Sequence, residues 1–158
     1  MRLFFSIFFL SISSFFLNAQ TAQIIKLPEL EKIINYKNDT TYIINFWATW
    51  CKPCVEELPY FLEAENDSKE KKVRFIFISL DFKRELETRL NPFLKNKKIT
   101  SSVFLLDEPD YNKWIDLVSK DWEGNIPATL IYNSDLSLRT FYPHEFDREK
   151  LREVIGLP

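Results

Sequence analysis

The chain has 158 residues, 46% of them hydrophobic, 16% aromatic and 28% charged, with a formal net charge of −2. That near-neutral balance argues against a nucleic-acid partner or an anionic membrane surface, both of which call for a basic face. Two cysteines are too few for a disulfide framework, so stability must rest on a hydrophobic core, and a chain of this length builds one as a single domain.

Met1-Arg2 is a short basic start, residues 3–17 are nearly all Phe, Ile, Leu and Ser, and Asn18-Ala19-Gln20 follows. Residues 1–19 read as a secretory signal peptide, the apolar run being shorter than the roughly 20 residues of a membrane span. Leu17, two positions before Ala19, is a poor small-residue match for a cleavage site, which leaves an uncleaved anchor as the alternative. Residues 20–158 are then the folded domain. Export places it in an oxidising compartment, the periplasm, where a disulfide persists.

Within the domain, Leu27, Leu30, Ile33 and Ile34 fall at helical spacing with Pro28 near the start, so a helix is expected over 24–37. Residues 41–48 are apolar and β-branched and read as a strand. A helix is expected over 51–67, kinked at Pro59. Residues 73–80 (VRFIFISL) are almost continuously apolar, as a strand covered on both faces requires. A helix over 84–94, limited by Pro92, precedes a strand over 102–106 and a short helix over 111–118. Strands over 127–132 and 136–142 flank Asn133-Ser134-Asp135, a hairpin signal. A last helix over 146–155 has Asp147 as its cap and Gly156 just past its end. This alternation calls for right-handed crossovers and an α/β fold. Its central, mostly parallel sheet carries helices on both faces and ends in an antiparallel hairpin.

Trp50-Cys51-Lys52-Pro53-Cys54 contains every cysteine in the chain. A pair three apart closes only a tiny loop and does little as a staple, but it is well placed to open and close a disulfide repeatedly. The pair sits where the 41–48 strand gives way to the 51–67 helix. Unpartnered N–H groups and the positive end of the helix macrodipole stabilise a thiolate there, so the Cys51 pKa should fall below the roughly 8.5 of a free cysteine. Cys51 is then the exposed nucleophile, and Cys54, one turn in, is the more buried resolving thiol. Pro53 suits the first helical turn, where a missing N–H costs little. Lys52 adds a positive charge beside Cys51.

The stretch Asn45-Phe46-Trp47-Ala48-Thr49-Trp50-Cys51-Lys52-Pro53-Cys54, followed by Glu57-Leu58-Pro59, resembles the active-site segment of the thioredoxin superfamily. More narrowly, it is similar to the exported TlpA/ResA-like thiol–disulfide oxidoreductases of bacteria. The resemblance implies a thioredoxin fold and dithiol exchange through a mixed disulfide. It also implies no cofactor beyond the redox-active Cys51–Cys54 pair, and no metal. Gly124-Asn125-Ile126-Pro127-Ala128-Thr129-Leu130 resembles the same family's cis-proline loop, which faces the dithiol across a groove. Ile126 and Pro127 would present backbone to a substrate's extended chain, with Trp50 and Pro53 on the neighbouring wall. Expected partners are client proteins carrying cysteines or disulfides and a membrane thiol electron donor, with the protein itself a monomer.

Cytoplasmic thioredoxins usually place a buried aspartate at the position of Asn45 to help move the resolving thiol's proton, which Asn45 cannot do. The exported group tends to carry asparagine here and glutamate where Glu57 stands. Cys54 and Glu57, at i and i+3 on one helix, share a face. Glu57 is therefore expected to be the acid/base for Cys54, with a pKa raised by partial burial; the alternative is a solvated carboxylate like Glu56. Stabilising the Cys51 thiolate stabilises the reduced form and makes the protein more oxidising, while an ionised Glu56 or Glu57 pushes the other way. The resemblance favours a reductant of the cell envelope, serving cytochrome c maturation or thiol repair.

Two other functions compete. A peroxiredoxin-like peroxidase normally wants a threonine three residues before its reactive cysteine, and Thr49 is only two before Cys51. A non-enzymatic metal- or partner-binding module could use the same fold with the dithiol as ligand. His144, the one histidine, lies far along the chain; with two cysteines it makes too few ligands for zinc, and a Cys–His hydrolase would need it beside Cys51. Trp114 and Trp122 read as core or loop-packing residues.

Overall fold

A computed structural model describes residues 21–157, so the expected signal peptide, residues 1–19, lies outside the described residues. In chain order the strands are β1 (Gln23–Ile25), β2 (Thr41–Trp47), β3 (Val73–Ser79), β4 (Ser102–Leu106), β5 (Ala128–Asn133) and β6 (Leu138–Tyr142). The helices are α1 (Leu27–Ile33), α2 (Lys52–Asp67), α3 (Asn91–Asn96), α4 (Ile115–Val118) and α5 (Arg148–Val154). The strands form one mixed sheet in the order β1-β4-β3-β2-β5-β6. Strands β1, β4, β3 and β2 run parallel, and β5 and β6 add the antiparallel hairpin.

Both faces of the central strands are buried, and strict alternation sorts their side chains between two cores. Ile43 and Trp47 on β2, Phe75 and Phe77 on β3, and Val103 and Leu105 on β4 face α2, α3 and α5, whose Leu58, Phe61, Leu94 and Leu151 complete that core. Ile44, Phe46, Ile76, Ile78, Leu130 and Tyr132 point the other way, onto Leu30 and Ile33 of α1 and Val118 of α4. Trp114 and Trp122 belong to this second core, Trp114 stacked on Phe46 and Trp122 tilted against it. At the C-terminus Asp147 accepts from the Lys150 N–H at 2.7 Å and caps α5. Gly156 (φ +68°) ends the helix in a Schellman arrangement, with Leu157 N–H donating to Arg152 O at 2.9 Å and Gly156 N–H to Glu153 O at 3.2 Å.

Three segments differ from their sequence-based expectation. The helix expected over 24–37 is instead a short strand followed by a helix. Residues 23–25 pair with residues 104–106 of β4, covering an edge whose backbone groups need partners, and Pro28 sits in the first turn of α1. The helix expected over 84–94 is a 3-10 turn (Lys83–Glu85), a π turn (Leu86–Leu90) and then α3. Pro92 falls in the first turn of α3 rather than at its end; lacking an N–H, it cannot continue the preceding ladder, and the winding changes just before it. The helix expected over 111–118 divides into a 3-10 turn (Tyr111–Lys113) and α4. Helix α2, by contrast, runs through Pro59 without a break.

Candidate active site

Cys51 and Cys54 form a disulfide at the point where β2 delivers the chain to α2. Cys51 is the N-cap of α2, and its sulfur accepts from the Cys54 N–H at 3.3 Å, so one of the helix's first-turn donors points at that sulfur. Lys52 and Pro53 occupy the first turn. Contrary to the expectation from sequence, the Cys51 side chain is not exposed: Cys51 is 5% and Cys54 1% accessible. Bonding to Cys54 and accepting from its N–H turn the Cys51 sulfur inward along the helix start. The order of the two is kept, with Cys54 the deeper. Lys52 contributes little charge to the site, because its ammonium is in solvent and lies 3.6 Å from Glu56.

Glu57 lies on the buried side of α2, 3% accessible. Its Oε1 accepts from Asn45 Nδ2 at 2.9 Å, and its Oε2 accepts from the Phe146 backbone N–H at 2.7 Å. Asn45 reaches it because β2 alternates: Asn45 faces α2, as Ile43 and Trp47 do. The same amide nitrogen donates to Thr129 Oγ1 on β5, 3.2 Å away and opposite Asn45 in the strand register. Burial raises the Glu57 pKa to about 7, against the lowering effect of its two donors; Glu145 raises it further and His144 lowers it. His144, distant in sequence, thus comes close to the helix that carries the cysteines. A cleft lined by Pro53, Glu56, Glu57, Tyr60, Glu145 and Phe146 opens beside the carboxyl.

The Ile126–Pro127 peptide bond is cis. The register between β2 and β5 ends at the Phe46–Ala128 pair, so Ile126 and Pro127 lead directly into the residue facing Phe46, near the end of β2 from which the dithiol follows. Ile126 packs against both cores. Trp50, half exposed, stands at the tip of the loop between β2 and α2. The structure thus gathers Trp50, Cys51, Pro53, Cys54, Glu57, Ile126 and Pro127 at one end of the sheet. Among the described residues, no group of three or more His, Cys, Asp or Glu side chains could hold a metal ion. Asn45 was legible as different from the cytoplasmic pattern but not as a partner of Glu57. Phe146 contributes only its backbone N–H, which no residue-type signal marks.

Solved structures with this arrangement of sheet, helices and loop have the thioredoxin fold. The thioredoxin-related protein from Neisseria meningitidis serogroup B matches with a TM-score of 0.61 at 21% identity, over 77% of this chain and 86% of that one. The chain belongs to the AhpC/TSA family, whose model matches residues 12–141. It is similar to the thiol-disulfide oxidoreductase ResA of Bacillus thuringiensis subsp. konkukian, 42% identical over 112 residues, 71% of this chain and 60% of that protein. A ResA of Bacillus cereus is 30% identical over 92 residues, 58% of this chain and 48% of that protein. The chain therefore spans about half the length of the curated relatives it matches.

Proposed function

We propose that this protein is a thiol–disulfide oxidoreductase of the cell envelope that passes electrons to client proteins through Cys51 and Cys54. The observation that carries the proposal is the disulfide at the N-cap of α2, with the buried Glu57 carboxyl one turn further on the same helix. The names of the matched ResA proteins support the same chemistry.

In the reducing direction, the Cys51 thiolate attacks one sulfur of a client disulfide. The other client sulfur leaves as a thiolate, and a mixed disulfide joins Cys51 to the client. Cys54 then loses its proton to the Glu57 carboxylate and attacks the Cys51 sulfur. The Cys51–Cys54 disulfide re-forms, the second client sulfur is released, and Glu57 returns a proton to it. Two electrons have moved to the client, and a membrane thiol donor restores the dithiol. A carboxyl with a pKa of about 7 can both accept and return that proton at neutral pH. Trp50, Pro53, Ile126 and Pro127 form the surface that receives the client's extended chain.

Residues 1–19 would export the domain, and envelope thiol repair or cytochrome c maturation is the role that suits an exported reductant. Helix macrodipole and N-cap donor favour the reduced form, so the potential rests on how far Glu57 offsets them. Against a peroxidase, the Thr49 hydroxyl is engaged by Asp81, to which it donates at 2.5 Å. The test is a Cys54→Ser variant expressed in the host: a mixed disulfide should accumulate on Cys51, and mass spectrometry should identify its clients. Apocytochrome c alone would mark maturation, many clients would mark repair, and no trapped species would refute the oxidoreductase reading.

A further inference from the structure

Asp81 is an acidic residue that plays no part in the exchange chemistry above, yet it is 3% accessible and lies just past the end of β3. Burying a carboxylate is costly unless it is well bonded. Asp81 is: its Oδ2 accepts from the Thr49 N–H at 3.0 Å and from the Ser79 hydroxyl at 2.8 Å, and its Oδ1 accepts from the Thr49 hydroxyl at 2.5 Å. The Ser79 oxygen in turn accepts from the Asp81 N–H at 3.1 Å. Two of these three bonds to the carboxylate hold a single residue, Thr49, by its backbone and its side chain together.

Thr49 is the second residue of the turn 48–51, closed by Cys51 N–H donating to Ala48 O at 3.1 Å. Trp50 is the third residue and Cys51 the fourth. The strands beneath are tied at the same level, with Leu80 N–H donating to Trp47 O at 2.8 Å. The turn therefore has one side chain from the segment after β3 gripping it in the middle, and its last residue is the N-cap whose sulfur accepts from Cys54 N–H.

We propose that Asp81 is a positioning residue for the dithiol: by gripping Thr49 it fixes the 48–51 turn that sets the Cys51 sulfur against the first N–H groups of α2. This rests on the reading of Cys51 as the attacking thiol. The consequence is that the reactivity of reduced Cys51 depends on a residue that touches neither cysteine nor client. Loss of the grip frees the turn, weakens the contact between sulfur and helix N-terminus, and makes the thiolate harder to form.

The experiment is the alkylation rate of Cys51 by iodoacetamide in the fully reduced full-length protein, followed across pH, with each cysteine read separately by mass spectrometry. Asp81→Ala should slow Cys51 at neutral pH by about tenfold and move the midpoint of its pH profile upward, the scale of one lost N-terminal contact. Asp81→Asn should react at no less than about a third of the wild-type rate. Its amide oxygen can accept from Thr49 N–H and Ser79, and its NH2 can donate to the Thr49 hydroxyl. Thr49→Val, which keeps the N–H bond and loses the hydroxyl, should slow Cys51 by about threefold. An Ala variant that reacts like wild type, or an Asn variant as slow as Ala, overturns the proposal. Should the Ala variant fail to fold, the Val variant decides alone, unchanged reactivity refuting the proposal. If wild-type Cys51 itself ionises no more readily than a free cysteine, the fault lies with the dithiol reading and not with Asp81.

Discussion

Replacing Glu57 by Gln removes an ionisable group while keeping its shape and its place between α2, β2 and the loop before α5. Gln can accept from the Phe146 N–H with its oxygen, and the Asn45 amide can turn to accept from the new NH2 group. Wild-type Glu57 ionises at about 7 in the folded protein, against 4.5 for an ordinary glutamate, because burial disfavours its charge. The sign follows from proton binding: between these two values the folded chain holds a proton that the unfolded chain has released. The stability associated with protonated Glu57 is present in full below 4.5 and is lost as the pH rises through about 7. Over the whole window that amounts to about 3 kcal/mol.

Urea denaturation of the oxidised wild type and Glu57→Gln at about pH 4 and about pH 8 isolates this contribution, since every other titrating group is common to both proteins. The variant should gain on the wild type by about 3 kcal/mol between the two pH values. A gap that stays constant to within about 0.5 kcal/mol would show Glu57 titrating as an exposed carboxylate does, and the proton-transfer role would lose its basis. The Gln variant should also slow dithiol exchange by on the order of a hundredfold, the usual worth of a positioned acid/base.

Other consequences are more local. Asn45→Ala removes a donor that lowers the Glu57 pKa, so the Glu57-linked midpoint in the pH profile of exchange should move upward; a downward shift would contradict the assigned hydrogen bond. Gly124→Ala places a Cβ 3.0 Å from Ile115 Cδ1 at a φ of +88°, and should cost about 1–2 kcal/mol in urea titration, where no loss would contradict the backbone description. Phe61→Ala empties the centre of the α2 core, where the ring meets Phe75, Phe77 and Phe146 edge-on. A loss of about 3–5 kcal/mol is expected by the same measurement. Asp147→Ala removes the α5 cap and should cost about 1 kcal/mol.

What was legible in the sequence was whatever one element decides by itself. The bounds of β3 and β4 follow almost unaided from their apolar runs, and Asp147 and Gly156 mark the two ends of the last helix by local backbone chemistry. The dithiol and its helix were visible for the same reason: two cysteines, a proline and a strand before them lie within one short stretch. What escaped was set by contacts between distant segments. Strand β1 has only three residues and no periodicity, and it forms because β4 offers a free edge. The π turn before α3 reflects a missing N–H at Pro92 acting on the turn behind it. In the site, spacing alone placed Glu57 beside Cys54. Its donors come from β2 and from a backbone group 89 residues away, and their pairing needed the folded chain. The inward turn of Cys51 likewise depends on the disulfide and the helix start together.

Whether Cys51 attacks and Cys54 resolves can be read by exposing the reduced Cys51→Ser and Cys54→Ser variants to a disulfide-containing protein such as insulin. Mixed disulfides are then followed on non-reducing gels. Cys54→Ser should accumulate a stable adduct through Cys51, and Cys51→Ser should form little adduct and release no reduced product. Adduct forming faster through Cys54 than through Cys51, or insulin reduction persisting without Cys51, would contradict it.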